Sequence, residues 1–233
     1  MRLLPMLIAC ILMYGNVIQA FAHPHQWVDA VFTLLIQDEL LDGIQVDWYL
    51  LRNFSLDMQC RYDHDHDGVF SPEEQIELYE SAFLSIALPT YYFHMRIADK
   101  QYASTVIENF SAAIIHGEVV LSFYVPCKLP VHPKLPLAIT AFDGRNYTSF
   151  DVLDCRIRGS PEPKSKLEFI PDLSIPSHGS DGCAVWAQLT FTDDTTHSLS
   201  EEPGFILPTI SSLVLEDEGS SIYLSTNPFT GKP

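Results

Sequence analysis

Asp63-His64-Asp65-His66-Asp67-Gly68-Val69-Phe70-Ser71-Pro72-Glu73-Glu74 fits the twelve-position calcium-loop pattern D-x-[DN]-x-[DN]-G-x5-E at every constrained place. Asp63, Asp65 and Asp67 put carboxylates at positions one, three and five. Gly68 permits the turn at six, and Val69 offers a backbone carbonyl at seven. Ser71 reaches an ion directly or through water at nine, and Glu74 closes the loop at twelve. Four carboxylates held this close repel one another strongly unless a cation lies between them. The loop therefore predicts a Ca2+ site. A solvated acidic turn is the plainer reading, but it leaves the register of Gly68 and Glu74 without a reason.

The same residues begin a helix. Ser71 is an N-cap, Pro72 suits the first helical position and Glu74 completes a capping box. Ile76, Tyr79, Phe83 and Ile86 fall on one stripe, and Pro89 stops the run. On the other side, 53–62 suits a short entry helix. An EF-hand-like helix–calcium-loop–helix unit is thus expected at about 53–88.

Strands are expected on both sides of this unit. Gln26–Ile36 and Ile44–Leu51 read as a hairpin turning at Asp42-Gly43, the second strand alternating Ile44, Val46, Trp48 and Leu50 against polar neighbours. Tyr91–Ile97, Thr105–Ile115, Val119–Val125, Leu135–Phe142 and Tyr147–Leu153 are rich in β-branched and aromatic residues. Turn signals stand at Asp99-Lys100, His116-Gly117 and Asp143-Gly144. Residues 156–166, with Gly159-Ser160-Pro161-Glu162-Pro163, read as a linker before edge strands at Leu167–Ile170 and Ala184–Phe191. The expected fold class is α+β, a mostly antiparallel β body carrying the inserted unit.

The amino end has Arg2, an apolar run from Leu3 to about Ile18, and Ala20-Phe21-Ala22 as a small-x-small cleavage site. That is the pattern of a secretory signal peptide cut after Ala22. The domain plan is therefore 1–22 signal peptide, 23–191 metal-binding domain and 192–233 acidic appendage. No later stretch is long enough to span a bilayer, since Phe205–Leu215 is short and contains Pro208. With 47% hydrophobic and 12% aromatic residues, the chain reads as a folded exported protein rather than a disordered one. A net charge of −17 argues against nucleic acid and anionic lipid as partners and favours cations or a basic protein. Cys60, Cys127, Cys155 and Cys183 remain after the signal, and in an oxidising compartment they suggest disulfides, with all three connectivities open.

Cleavage after Ala22 would place His23-Pro24-His25 at the new terminus, an α-amine beside two imidazoles. A square-planar amino-terminal copper or nickel site needs a deprotonated amide at position two, and Pro24 has none. What remains is chelation by the amine and ring of His23, with His25 as a further ligand and others from His94, His116 or Asp143. Two exposed histidines opening a strand is the competing reading. His64 and His66 alternate with the loop aspartates and point away from the calcium position.

Taken in order, Ala22-His23-Pro24-His25-Gln26-Trp27-Val28-Asp29, a hydrophobic hairpin, the acidic loop and Tyr92-Phe93-His94 resemble the domain of unknown function 1007 family over roughly residues 22–155. The resemblance implies the periplasmic component of an ABC-type transport system. Members are commonly encoded beside a nickel/cobalt-type inner-membrane permease, and some are linked to zinc acquisition. It also implies that His23 and His25 are the first ligands of Zn2+ or another divalent transition metal, to which the residues themselves add His94 as a candidate partner, a packed or surface histidine being its competing reading. Asp63, Asp65, Asp67, Val69, Ser71 and Glu74 would hold Ca2+. The expected function is a non-enzymatic periplasmic accessory that exchanges a metal with the permease. A calcium-stabilised structural or adhesive module comes second and a copper-dependent enzyme third. The sequence shows no Ser/His/Asp or Cys/His nucleophile arrangement and no phosphate-binding glycine loop.

Overall fold

The alternation at Ile44, Val46, Trp48 and Leu50 sends all four side chains inward, and in a computed structural model of the chain each is buried. The structure describes residues 26–38, 40–87, 90–98, 100–131, 136–143, 148–160, 164–176, 182–191 and 213–215. The expected signal peptide, His23, His25 and most of 192–233 lie outside the described residues.

The chain runs β1 (Gln26–Gln37), β2 (Leu40–Leu50), α1 (Arg52–Tyr62) and α2 (Pro72–Leu78), which continues through a π-helical turn at Tyr79–Phe83 and a last turn at Leu84–Ala87. Then come β3 (Phe93–Ile97), β4 (Lys100–Ser104), β5 (Glu108–Ile115), β6 (Glu118–Pro130), β7 (Leu137–Ala141), β8 (Thr148–Ser160), β9 (Ser165–Pro176), β10 (Cys183–Phe191) and β11 (Leu213–Leu215). They form a five-stranded sheet ordered β5-β6-β2-β1-β8 and a six-stranded sheet ordered β11-β4-β3-β7-β10-β9. The β1–β8 pairing is parallel and the other pairings are antiparallel.

This architecture overturns the expected α+β class. The described chain is mostly β, in two sheets, with two short helical segments that do not stand apart as an inserted EF-hand-like unit. Both helices are tied to the β5–β6 hairpin by polar side chains, Ser55 and Gln59 on α1 and Gln75 on α2. The Ser55 hydroxyl donates to Leu50 O (2.6 Å) and accepts from Val119 N (2.8 Å). On α2, Gln75 Oε1 accepts from Ala112 N (3.2 Å). Met58, Tyr62, Leu78, Tyr79 and Phe83 enter one core with residues of both sheets. The helical stripe also differs from expectation: Ile76 is exposed, and Leu78, Tyr79, Ala82 and Phe83 face inward.

Two connections differ as well. The β1–β2 turn is at Asp38, whose φ of 50° suits a tight hairpin. Asp42-Gly43 instead lies within β2, where the register against β6 shifts. The stretch read as a linker is largely strand, because β8 follows β1 in parallel as far as Gln37↔Ser160 and β9 begins at Ser165. Gly159 is required in that pairing, since a Cβ there would collide with the Ile36 carbonyl oxygen. Gly159→Ala is expected to cost about 1–3 kcal/mol as overpacking against a backbone atom, read from the urea midpoint.

Among the described residues no helix is long and apolar enough to cross a membrane. Cys60 is exposed on α1, and Cys127, Cys155 and Cys183 are buried on β6, β8 and β10; all four are free thiols in the structure. β2 and β1 separate β6 from β8, a gap of about 14 Å that no disulfide bridges. The connectivity joining Cys127 to Cys155 is thereby removed. In the C-terminal stretch, Leu213–Leu215 pairs with β4 and adds an edge strand to the second sheet.

Candidate metal sites

Between α1 and α2 the chain must reverse tightly, and it does so with His66 and Gly68 at φ of 57° and 81°. Glycine adopts that conformation freely; for Gly68 it is the reason the loop pattern demands this residue. The turn brings carboxylate oxygens of Asp63, Asp65 and Asp67 within 4.8 Å of one another. Asp63 is buried, and its two oxygens accept from Asp67 N and Gly68 N, each at 3.1 Å. Asp67 Oδ1 accepts from Val69 N at 2.8 Å. Backbone amides thus hold the aspartates in place.

Glu74 is positioned from both ends of the loop. Its Oε1 accepts from His64 N (2.7 Å), and its Oε2 accepts from Ser71 N (2.8 Å) and the Ser71 hydroxyl (2.9 Å). The capping box expected from Ser71 and Glu74 is complete. These bonds, that from His64 N first, hold the Glu74 carboxyl below its usual value of 4.5. A carboxylate with a lowered pKa adds stability above its unfolded value and loses it as pH falls through the folded one. Acid titration followed by circular dichroism is therefore expected to show helix loss below about pH 4.5 that Glu74→Gln makes shallower.

Two residues that sequence patterns did not single out anchor the loop. Phe70 is buried in the core, and its carbonyl accepts from Gln75 Nε2 (2.9 Å), the same side chain that meets β5. The bond from Ala112 N to Gln75 joins positions 37 residues apart, so no local pattern announces it. Chemically the donor set is all oxygen, with several negative charges, which fits Ca2+ and offers little to a softer ion. As expected, His64 turns elsewhere: its Nε2 lies 2.8 Å from Glu77 Oε2, and that pairing raises its pKa.

A second polar corner forms where the described chain begins. Parallel pairing sets Gln26 opposite Thr148. The Thr148 hydroxyl donates to Gln26 Oε1 (3.1 Å), and Thr148 N donates to Asp143 Oδ2 (3.1 Å). His94 enters from β3, which pairs with β7 so that Phe93 faces Ala141. Its ring stacks on Phe142 at 3.7 Å between centroids and 12° between planes, with Nε2 at 3.3 Å from Phe142 O. Gln26, His94, Asp143 and Thr148 are all buried. His94 and Asp143 therefore come to one corner. His116, the other candidate, sits in the β5–β6 turn, and β5 and β8 are opposite edges of their sheet.

A family model described as protein of unknown function (DUF1007) matches residues 7–171. An uncharacterised 15.5 kDa protein in the trpE 3' region of Spirochaeta aurantia is 31% identical over 88 residues. That match covers 37% of this chain and 63% of the relative, so the chain spans less than two thirds of the relative's length. No solved structure matches the chain significantly.

Proposed function

The chain belongs to DUF1007, a family of proteins of unknown function, and from that premise we propose that this member is an exported, non-enzymatic divalent-cation-binding protein. Ca2+ is held in the 63–74 loop, with Asp63, Asp65, Asp67, the Val69 carbonyl, Ser71 and Glu74 as its oxygen donors. The convergence of the three aspartate carboxylates within 4.8 Å carries this reading. A transition metal, Zn2+ first and Ni2+ or Co2+ next, is bound by His23 and His25 together with His94. Supporting this second site, Gln26 follows His25 directly in the chain and is buried in the same corner as His94.

The signal-peptide pattern at 1–22 supports a periplasmic location, and the resemblance to transport-system components supports a nickel/cobalt-type permease as partner. Calorimetry on the purified protein tests the whole reading. Saturable uptake of Ca2+ is expected at roughly 0.1–1 mM, the range of extracellular modules. Zn2+ should also bind saturably, with His23→Ala/His25→Ala abolishing uptake. If Zn2+, Ni2+ and Co2+ all fail to bind while Ca2+ does, the protein is a calcium-stabilised structural module instead. Loop residues tied into the core through Phe70 and Gln75 favour that second reading.

A further inference from the structure

The first turn of α1 meets the start of β1 in an open cleft of about 540 Å³, the size of a small-molecule site. Its floor is apolar. Trp27 and Leu51 are exposed there beside Phe54, and Leu51 N donates to Trp27 O at 3.3 Å. Three kinds of donor border this floor, each without an acceptor among the described residues.

The helix contributes the first. Leu51 stands at its N-cap and has no side chain able to cap. Phe54 N and Ser55 N both return to Leu51 O at 2.9 Å, which leaves Arg52 N and Asn53 N unused among the described residues. The Arg52 guanidinium is the second. It makes no ion pair among the described residues although the chain carries 30 acidic against 13 basic side chains, and Asp57 in the same cleft is taken by Arg61 Nε at 3.0 Å. Gln26 is the third. It lines the cleft yet is only 6% exposed, and the Thr148 hydroxyl donating to Oε1 (3.1 Å) makes Nε2 its free end. That Nε2 is buried with no hydrogen-bond partner among the described residues, a cost that a bound acceptor removes.

We propose that the cleft binds an organic monocarboxylate. Its apolar body lies on Trp27, Leu51 and Phe54, and its carboxylate sits at the start of α1 against Arg52, with Gln26 Nε2 as the innermost donor. A helix N-terminus and a guanidinium fork both suit a carboxylate. One cation balances one negative charge, while Asp57 and the net charge of −17 oppose a dianion such as phosphate. Neither metal site is needed for this binding. A small apolar acid and the free C-terminus of a peptide share the required chemistry.

The test is calorimetry on the full protein with phenylacetate and with alanylphenylalanine, each against its amide, and with phenyl phosphate. Tryptophan fluorescence gives a second readout, because Trp27 is exposed whereas Trp48 and Trp186 are buried. At least one acid is expected to bind saturably and to change the fluorescence, and Trp27→Ala should remove that change. Tighter binding of phenylacetate identifies a small acid, and tighter binding of the dipeptide identifies a peptide terminus. The amide of the preferred acid should bind roughly tenfold or more weakly, as should the acid to Arg52→Gln, with Arg52→Lys in between. Arg52 is exposed and unpaired among the described residues, so Arg52→Gln should keep the wild-type melting temperature. No saturable binding of either acid, equal binding of acid and amide, wild-type affinity in Arg52→Gln, or tighter binding of phenyl phosphate would each overturn the assignment.

Discussion

Saturating Ca2+ is expected to raise the melting temperature by about 5–10 °C, and a chelator such as EGTA should reverse the shift. The magnitude follows from linkage. A ligand at one hundred times its Kd stabilises by about 2.7 kcal/mol if it binds only the folded state. Domains of roughly 150–250 residues gain about 2–4 °C per kcal/mol. The unfolded chain cannot compete, because the three aspartates converge only when His66 and Gly68 take their left-handed conformations. Asp63→Asn is the decisive variant, since both Asp63 oxygens already accept backbone amides and the carboxylate is buried. It should lower the apo melting temperature by a few degrees, because the Asn amide nitrogen cannot accept one of those two backbone N–H groups, and cut the Ca2+ shift to about 1 °C or less, since it removes a formal charge from the ion. Glu73→Gln, one residue before the closing glutamate and exposed, should keep the full shift. A wild-type shift in Asp63→Asn would mean that the cation binds elsewhere.

How far the molecule was legible in its sequence depended on the range of the interaction. The loop was legible because its constraints are local: Gly68 at the positive φ, Ser71 as N-cap and Glu74 three residues on all act within one turn. The β1–β2 pairing was legible too, because period-two alternation marks a strand with one buried face. Its turn was misplaced, since Asp42-Gly43 is a turn signal that the β2–β6 register uses as an irregularity inside a strand. The class was misjudged for a related reason. Good helical caps predict helices but not their independence, and it is the shared core and the long-range bonds from Ser55, Gln59 and Gln75 that show both helices to belong to the β body. β8 beyond Asp154 was hidden because Gly159 and Pro161 read as linker, while its partner β1 lies more than a hundred residues away. The His94–Asp143 corner could only be suspected. It exists because two pairings, β3 with β7 and β1 with β8, converge there, and no spacing within one segment encodes that.

Trp48→Ala is expected to be the most destabilising single core substitution, by about 3–5 kcal/mol in urea unfolding. Trp48 is 1% exposed, and its ring centroid lies 5.0 Å from that of Phe123, 5.3 Å from Phe150, 5.5 Å from Phe83 and 5.9 Å from Tyr92. Those four rings come from β6, β8, the π-helical turn and the approach to β3, so one side chain joins the first sheet to the segments that carry both candidate sites. Trp48→Phe separates packing from polarity. The indole Nε1 is buried with no hydrogen-bond partner in the structure, a standing cost that phenylalanine removes. Trp48→Phe should therefore lose less than about 1.5 kcal/mol although it gives up a ring. Because the rings reach both the helix after the acidic loop and the residues before His94, Trp48→Ala should also lower the denaturant midpoint of the Ca2+-loaded protein by a similar amount. A loss below about 1 kcal/mol for Trp48→Ala would show that the aromatic cluster does not hold the sheet and the helical segment together.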